Sequence, residues 1–108
     1  MAKNNTPLKI DMHTHILPEK LPNFAEKFGY GEFINLLHHK DGAALMMKGD
    51  KFFREIESNC WDPKRRIKEY EQFHTNVQVI CTIPVMFSYW AEPNDCLYLS
   101  QFLNDHIA

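Results

Sequence analysis

Apolar and polar residues alternate through Leu8-Lys9-Ile10-Asp11-Met12-His13-Thr14-His15-Ile16. A period of two predicts a strand. It sets His13 and His15 on one face, together with Lys9 and Asp11, and sends Leu8, Ile10, Met12 and Ile16 to the other, where helices can cover them. Pro18 stops this strand. Between Pro18 and Trp61 the pattern breaks into short pieces. Leu21 to Phe28 reads as a short helix ended by Gly29. Phe33 to His39 reads as a strand, Lys40-Asp41-Gly42 as a turn, and Ala44 to Met47 as a strand pairing back. A second turn at Lys48-Gly49-Asp50 leads to Lys51 through Ile56. The sum is a small antiparallel meander, although Ala44 to Met47 also suits a helical turn.

A longer helix begins at Asp62-Pro63, a cap followed by a residue suited to the first helical position. Ile67, Tyr70 and Phe73 or His74 recur at helical spacing, with Lys64, Arg65, Lys68 and Glu69 toward water and Asn76 at the end. Val77 to Ile83 is rich in β-branched residues and apolar on both faces, as strands inside parallel sheets are. Strand, crossover helix and strand make one right-handed β-α-β unit. Pro84 ends the second strand. The loop from Val85 to Glu92 leaves at the same end as the histidines, and a last helix starts at Asn94 or Asp95, with Leu97, Leu99, Phe102, Leu103 and Ile107 as its apolar positions. The fold class is therefore α/β.

Composition narrows the function classes. The 108 residues carry a formal net charge of −2 and 44% hydrophobic residues, a globular balance without the basic stripe that nucleic-acid binding requires. Lys64-Arg65-Arg66 reads as a charged helix face. The opening Met1 to Pro7 is polar and is no secretory signal. The apolar run from Val77 to Trp90 is too interrupted to cross a bilayer. Cys60, Cys81 and Cys96 lack a Cys-x-x-Cys spacing and read as reduced, mostly buried thiols of a cytosolic protein. The final turn, Asp105 to Ala108, has no cap, and two apolar strands without neighbours make an exposed edge. We expect an N-terminal piece of a larger protein, with a short isoform as the alternative.

The chemistry starts at His13 and His15. Two imidazoles on one strand face can grip a divalent ion from one side. Zinc is the default ion, with manganese, iron or cobalt as alternatives. A His-x-His preceded by Asp11 at the end of a first strand is the pattern of metal-dependent amidohydrolase barrels. Further motifs sharpen this: Lys9 to Pro18, Phe28-Gly29-Tyr30-Gly31, Leu37-His38-His39, Phe53-Arg54, Asn59-Cys60-Trp61-Asp62-Pro63 and Pro84 to Ala91. From Lys9 onward the chain resembles the N-terminal third of the metal-dependent semialdehyde decarboxylases of the amidohydrolase superfamily.

That resemblance implies the first part of a (β/α)8 TIM barrel, which needs roughly 250 residues when complete. Residues 1–108 would be its incomplete start, with 18–61 as an insertion after the first strand. It implies Zn2+ on His13 and His15, completed by a histidine and an aspartate from later strands, with the acid/base histidine also outside this chain. It implies Arg54 as the residue that holds a substrate carboxylate and Lys48 as a second residue facing the pocket. The substrate would be a small conjugated dicarboxylate semialdehyde, decarboxylated on the kynurenine route of tryptophan breakdown by a cytosolic homodimer. A hydrolase of the same superfamily and an inactive fragment or isoform are the alternatives. His38 and His39 read as structural or surface residues, and His74 and His106 carry no assigned chemistry. Cys60 and Trp61 read as packing beneath the insertion, although Trp61 also suits a place in the pocket wall. The Met86 to Trp90 loop is placed for substrate contact, although its aromatic residues also suit packing.

Overall fold

The computed structural model describes residues 7–108, so the polar opening through Thr6 lies outside the described residues. The elements run β1 (Ile10–His15), α1 (Phe24–Phe28), β2 (Ile34–Lys40), β3 (Ala43–Lys48), β4 (Lys51–Glu57), α2 (Pro63–Gln72), β5 (Val77–Cys81) and α3 (Pro93–Ile107). Short 3-10 turns cover Ser58–Cys60 and Pro84–Met86. β1 and β5 form a parallel pair, and β2-β3-β4 form an antiparallel sheet. The architecture is mixed α/β, and the described residues form no closed barrel.

The meander follows its turn chemistry. Gly42 and Gly49 take positive φ in the two tight connections. Ala44 to Met47 is a strand and not a helical turn, paired on both sides by β2 and β4. Asn23 caps α1 by accepting from the Glu26 amide, and Gly29 closes it in the left-handed region.

The main core joins the meander to α3, not β1 to α2. Leu17, Phe24, Phe33 and Met46 are fully buried, and Ile34, Ala44, Ile56, Trp61, Met86, Leu99 and Leu103 complete the cluster. Each large side chain there contributes about 1.5–3 kcal/mol by leaving water. Trp61 packs beneath the meander, edge-on to His38 at 5.2 Å. Tyr30 ties the same block to α3: its hydroxyl donates to Asp95 at 2.7 Å and accepts from the Glu92 amide at 2.9 Å.

α2 begins as its sequence predicts, with Asp62 accepting from the Lys64 amide and Pro63 at the first helical position. Its inner face differs from the apolar spacing. Ile67 and Phe73 are exposed, and the buried residue is Arg66. Arg65 is also not simply solvated. It reaches Glu57, Ser58 and Glu69. The reading of Lys64-Arg65-Arg66 as a wet charged face therefore fails for two of its three residues. Polar groups at the sheet end need a donor with several N–H bonds, and a guanidinium supplies them where an aliphatic side chain cannot. α2 also stops four residues before Asn76. The Thr75 amide returns to the Tyr70 carbonyl with His74 in the left-handed region, closing the helix at Gln72. Asn76 instead pairs with Lys9 at the start of β1.

β1 departs from strict alternation. Its ladder to β5 steps from Asp11 to Thr14 while β5 steps only from Gln78 to Ile80. This bulge shifts the faces. Lys9 and Asp11 turn to α2, where they meet Phe73 and Tyr70, and Thr14 and Ile16 are buried. Leu8, Ile10 and Met12, expected under helices, are exposed. So Asp11 does not share the histidine face. None of the three cysteines is buried: Cys60 and Cys96 are half-buried and Cys81 is exposed, all three as free thiols. Among the described residues, no helix is long and apolar enough to cross a membrane.

Candidate metal centre

His13 and His15 converge. Their Nε2 atoms lie 3.1 Å apart, with the rings edge to face at a centroid distance of 4.9 Å. The outer nitrogen of His15, Nδ1, stands 3.1 Å from the Thr82 carbonyl oxygen, which can only accept. With its proton on Nδ1, His15 satisfies that carbonyl and presents the Nε2 lone pair toward His13. Fixing a ring through its far nitrogen in this way is how metal-binding histidines are held. Two zinc–nitrogen bonds of about 2.0–2.1 Å at a tetrahedral angle separate the nitrogens by about 3.3 Å. The pair thus fits a shared divalent ion on distance.

The groups behind β1 are as ordered as the histidines. Asp11 accepts from the His13 amide at 3.1 Å and from the Tyr70 hydroxyl at 2.8 Å. The Tyr70 hydroxyl, with the His13 amide second, holds the Asp11 carboxyl below the usual carboxylate range. Arg66 donates through Nη1 to the carbonyls of His15 at 3.0 Å and Asn59 at 2.9 Å. Its Nη2 donates to Thr14 Oγ1 and to Gln78 Oε1. Cys81 Sγ lies 3.2 Å from His15 Nδ1 on the opposite side of the sheet from Arg66. Among the described residues, no group of three or more His, Cys, Asp or Glu side chains is placed to hold a metal ion.

Lys48 and Arg54 meet around one ring. Lys48 Nζ stands 4.5 Å from the Phe53 ring centre and Arg54 Cζ 5.7 Å from it, within reach of the attraction between a cation and an aromatic face. Arg54 is exposed on β4 opposite Met46. Lys48 is half-buried and lines a cavity of about 320 Å³ with Gly31, Glu32, Ile34, Val85, Ser88 and Trp90. The structure sets each of these cations beside the Phe53 ring and brings the two histidines together. No hydrogen bond or ion pair joins the one pair to the other. The Met86 to Trp90 loop borders the Lys48 cavity through Ser88 and Trp90. His38 bonds to the Glu19 carbonyl and His39 faces Glu55, neither of them in β1. His74 and His106 are exposed.

Arg66, Tyr70 and Thr82 were not legible as site residues. One signal was available. Arg66 lies four residues after the capping Asp62 and four before Tyr70, so the two side chains share one helix face.

No family model matches the sequence. Curated relatives do. The chain is 58% identical over 101 residues, 94% of its length, to the 2-amino-3-carboxymuconate-6-semialdehyde decarboxylase of Dictyostelium discoideum, of which it covers 28%. It is 48% identical over 99 residues, 92% of its length, to the Caenorhabditis elegans protein of the same name, covering 25% of it. A Sus scrofa protein of that name is 44% identical over 50 residues, 46% of this chain and 36% of that protein. The chain spans about a quarter of the length of the first two relatives. On this sequence identity the chain is a homologue of part of these 2-amino-3-carboxymuconate-6-semialdehyde decarboxylases.

Proposed function

We propose that this chain is the N-terminal part of a metal-dependent decarboxylase that acts on 2-amino-3-carboxymuconate 6-semialdehyde in the kynurenine route of tryptophan catabolism. β1, α2 and β5 are the opening of its (β/α)8 barrel, and 18–61 is the insertion after the first strand. The full-length protein works in the cytosol as a homodimer. The observation that carries this reading is the meeting of His13 and His15 through their Nε2 atoms, with the far side of His15 bonded to Thr82.

His13 and His15 would hold Zn2+ from one side, with the remaining ligands and the acid/base group supplied from beyond residue 108. When bound, the metal acidifies a water and orients the substrate. Arg54 presents a planar guanidinium that can take a substrate carboxylate through two parallel hydrogen bonds, and Lys48 adds a second positive charge beside it. The conjugated chain accepts the electron pair left by carbon dioxide, so no organic cofactor is required.

In the full-length protein, Arg54→Ala should lower kcat/KM about a hundredfold, the loss of two charge-assisted hydrogen bonds. Its metal content should stay unchanged. Unaltered turnover would remove Arg54 from the substrate site.

A second reading is favoured by the two-donor set: the 108-residue chain alone is inactive. Two imidazoles with no third donor among the described residues bind zinc weakly.

A further inference from the structure

The histidine pair depends on a bulge, and the bulge is gripped from behind. Between Asp11 and Thr14 one extra residue is accommodated in β1. Bulges of this kind re-aim side chains beside active sites. Here the bulge returns Thr14 to the α2 side and leaves His13 and His15 on the other, with their Nε2 atoms 3.1 Å apart. The parallel ladder pairs His15 with Cys81 but gives Met12 and His13 no partner in β5, so it does not by itself fix the bulge between the two histidines.

Two side chains one helical turn apart on α2 do fix it. Tyr70 donates to Asp11, whose other oxygen holds the His13 amide, so the upstream edge of the bulge is tied. Arg66 donates to the Thr14 hydroxyl and the His15 carbonyl, so the downstream edge is tied. The same guanidinium also reaches Gln78 on β5 and the Asn59 carbonyl before α2. A buried arginine is costly unless its donors are satisfied. This one spends two of its four hydrogen bonds on Thr14, which separates the two histidines, and on the His15 carbonyl.

We propose that Arg66 and Tyr70 are positioning residues that hold the β1 bulge so that the His13 and His15 Nε2 atoms face one point. The inference rests on the reading of that pair as metal ligands, and its test separates the two. Tyr70→Phe removes one hydroxyl and keeps the ring. Arg66→Lys keeps a charge and loses the fork.

The 108-residue chain is compared with both variants by circular dichroism, by thermal unfolding and by NMR with 15N-labelled histidine. Ring juxtaposition is read without metal, from the nuclear Overhauser contact between the His13 and His15 ring protons. Loss of that contact in either variant, with helix and strand content retained, is the expected result. Persistence in both overturns the proposal, whatever zinc does. If Arg66→Lys fails to fold, Tyr70→Phe alone decides.

Zinc titration followed on the same ring signals is the separate arm. The variants should bind about tenfold more weakly than the parent chain, the usual effect of losing groups that orient a ligand. A parent chain whose histidines do not respond to zinc would overturn the metal reading and leave the Overhauser contact to judge the clamp.

Discussion

Gly31 takes φ 85°, and the Trp90 ring closes over it. A Cβ at this position would lie 2.6 Å from Trp90 Cζ3, far inside contact distance. An L-residue also costs roughly 1–2 kcal/mol in the left-handed region. Trp90 is half-exposed and can shift, but only by giving up its place 4.7 Å from the Phe33 ring. Gly31→Ala should therefore destabilise the chain by about 1–3 kcal/mol and alter tryptophan fluorescence. Urea unfolding checks it, and an unchanged midpoint would count against this account of the glycine. At this scale the sequence was informative where chemistry is local. Asp62-Pro63 and Gly29 act where their types predict. The His-x-His stood out by its setting, at the end of a short alternating run and after Asp11, since the pair alone is common. Asp11 was misplaced because a bulge has no signature in a run that alternates cleanly by residue type.

α2 shows what an element adds to its residues. Its C-terminus closes through the Thr75 amide to the Tyr70 carbonyl, with His74 at φ 58°. That is a glycine position held by a histidine. His74→Gly should raise stability by about 1 kcal/mol, measured by thermal or urea unfolding, and a loss of stability would show that the exposed ring contributes packing. The spacing of Ile67 and Phe73 suggested an apolar stripe, yet the sheet contact is made by Arg66 and Tyr70. Periodicity counts hydrophobic residues and has no weight for an arginine whose partners come from another strand.

The outer face of α2 carries a titration of known sign. Asn59, with Arg65 second, holds the Glu69 carboxyl below its ordinary value of 4.5. A depressed folded pKa adds stability above the unfolded value and loses it as pH falls through the folded value. The stability difference between the parent chain and Glu69→Gln should thus be full at neutral pH and shrink as pH drops below about 4.5. A difference that stays constant from pH 7 to pH 3 would dissociate Glu69 from the Arg65 cluster.

Across the whole molecule the two sheets differ in how completely they are covered. The meander packs on α3 through Phe24, Phe33, Met46, Leu99 and Leu103. Among the described residues the β1–β5 pair is covered by α2 on one face only. Its other face carries the histidines together with Ile10, Val77 and Val79, the last three 42–46% exposed. The α/β class and the parallel unit were readable, since β-branched runs around a capped helix admit few arrangements. How the open face is covered was not, because a strand's neighbours are set by long-range pairing that no local pattern encodes.

Apolar residues in contiguous register on an open strand pair favour association. The 108-residue chain should accordingly self-associate in a concentration-dependent way. Val77→Thr with Val79→Thr keeps strand propensity and side-chain shape while adding hydroxyls to that face. The double variant should shift the sedimentation profile toward monomer and leave the His13–His15 ring contact in place. A parent chain that sediments as a monomer at every concentration would mean that the face is too small, or too broken by its imidazoles, to drive association.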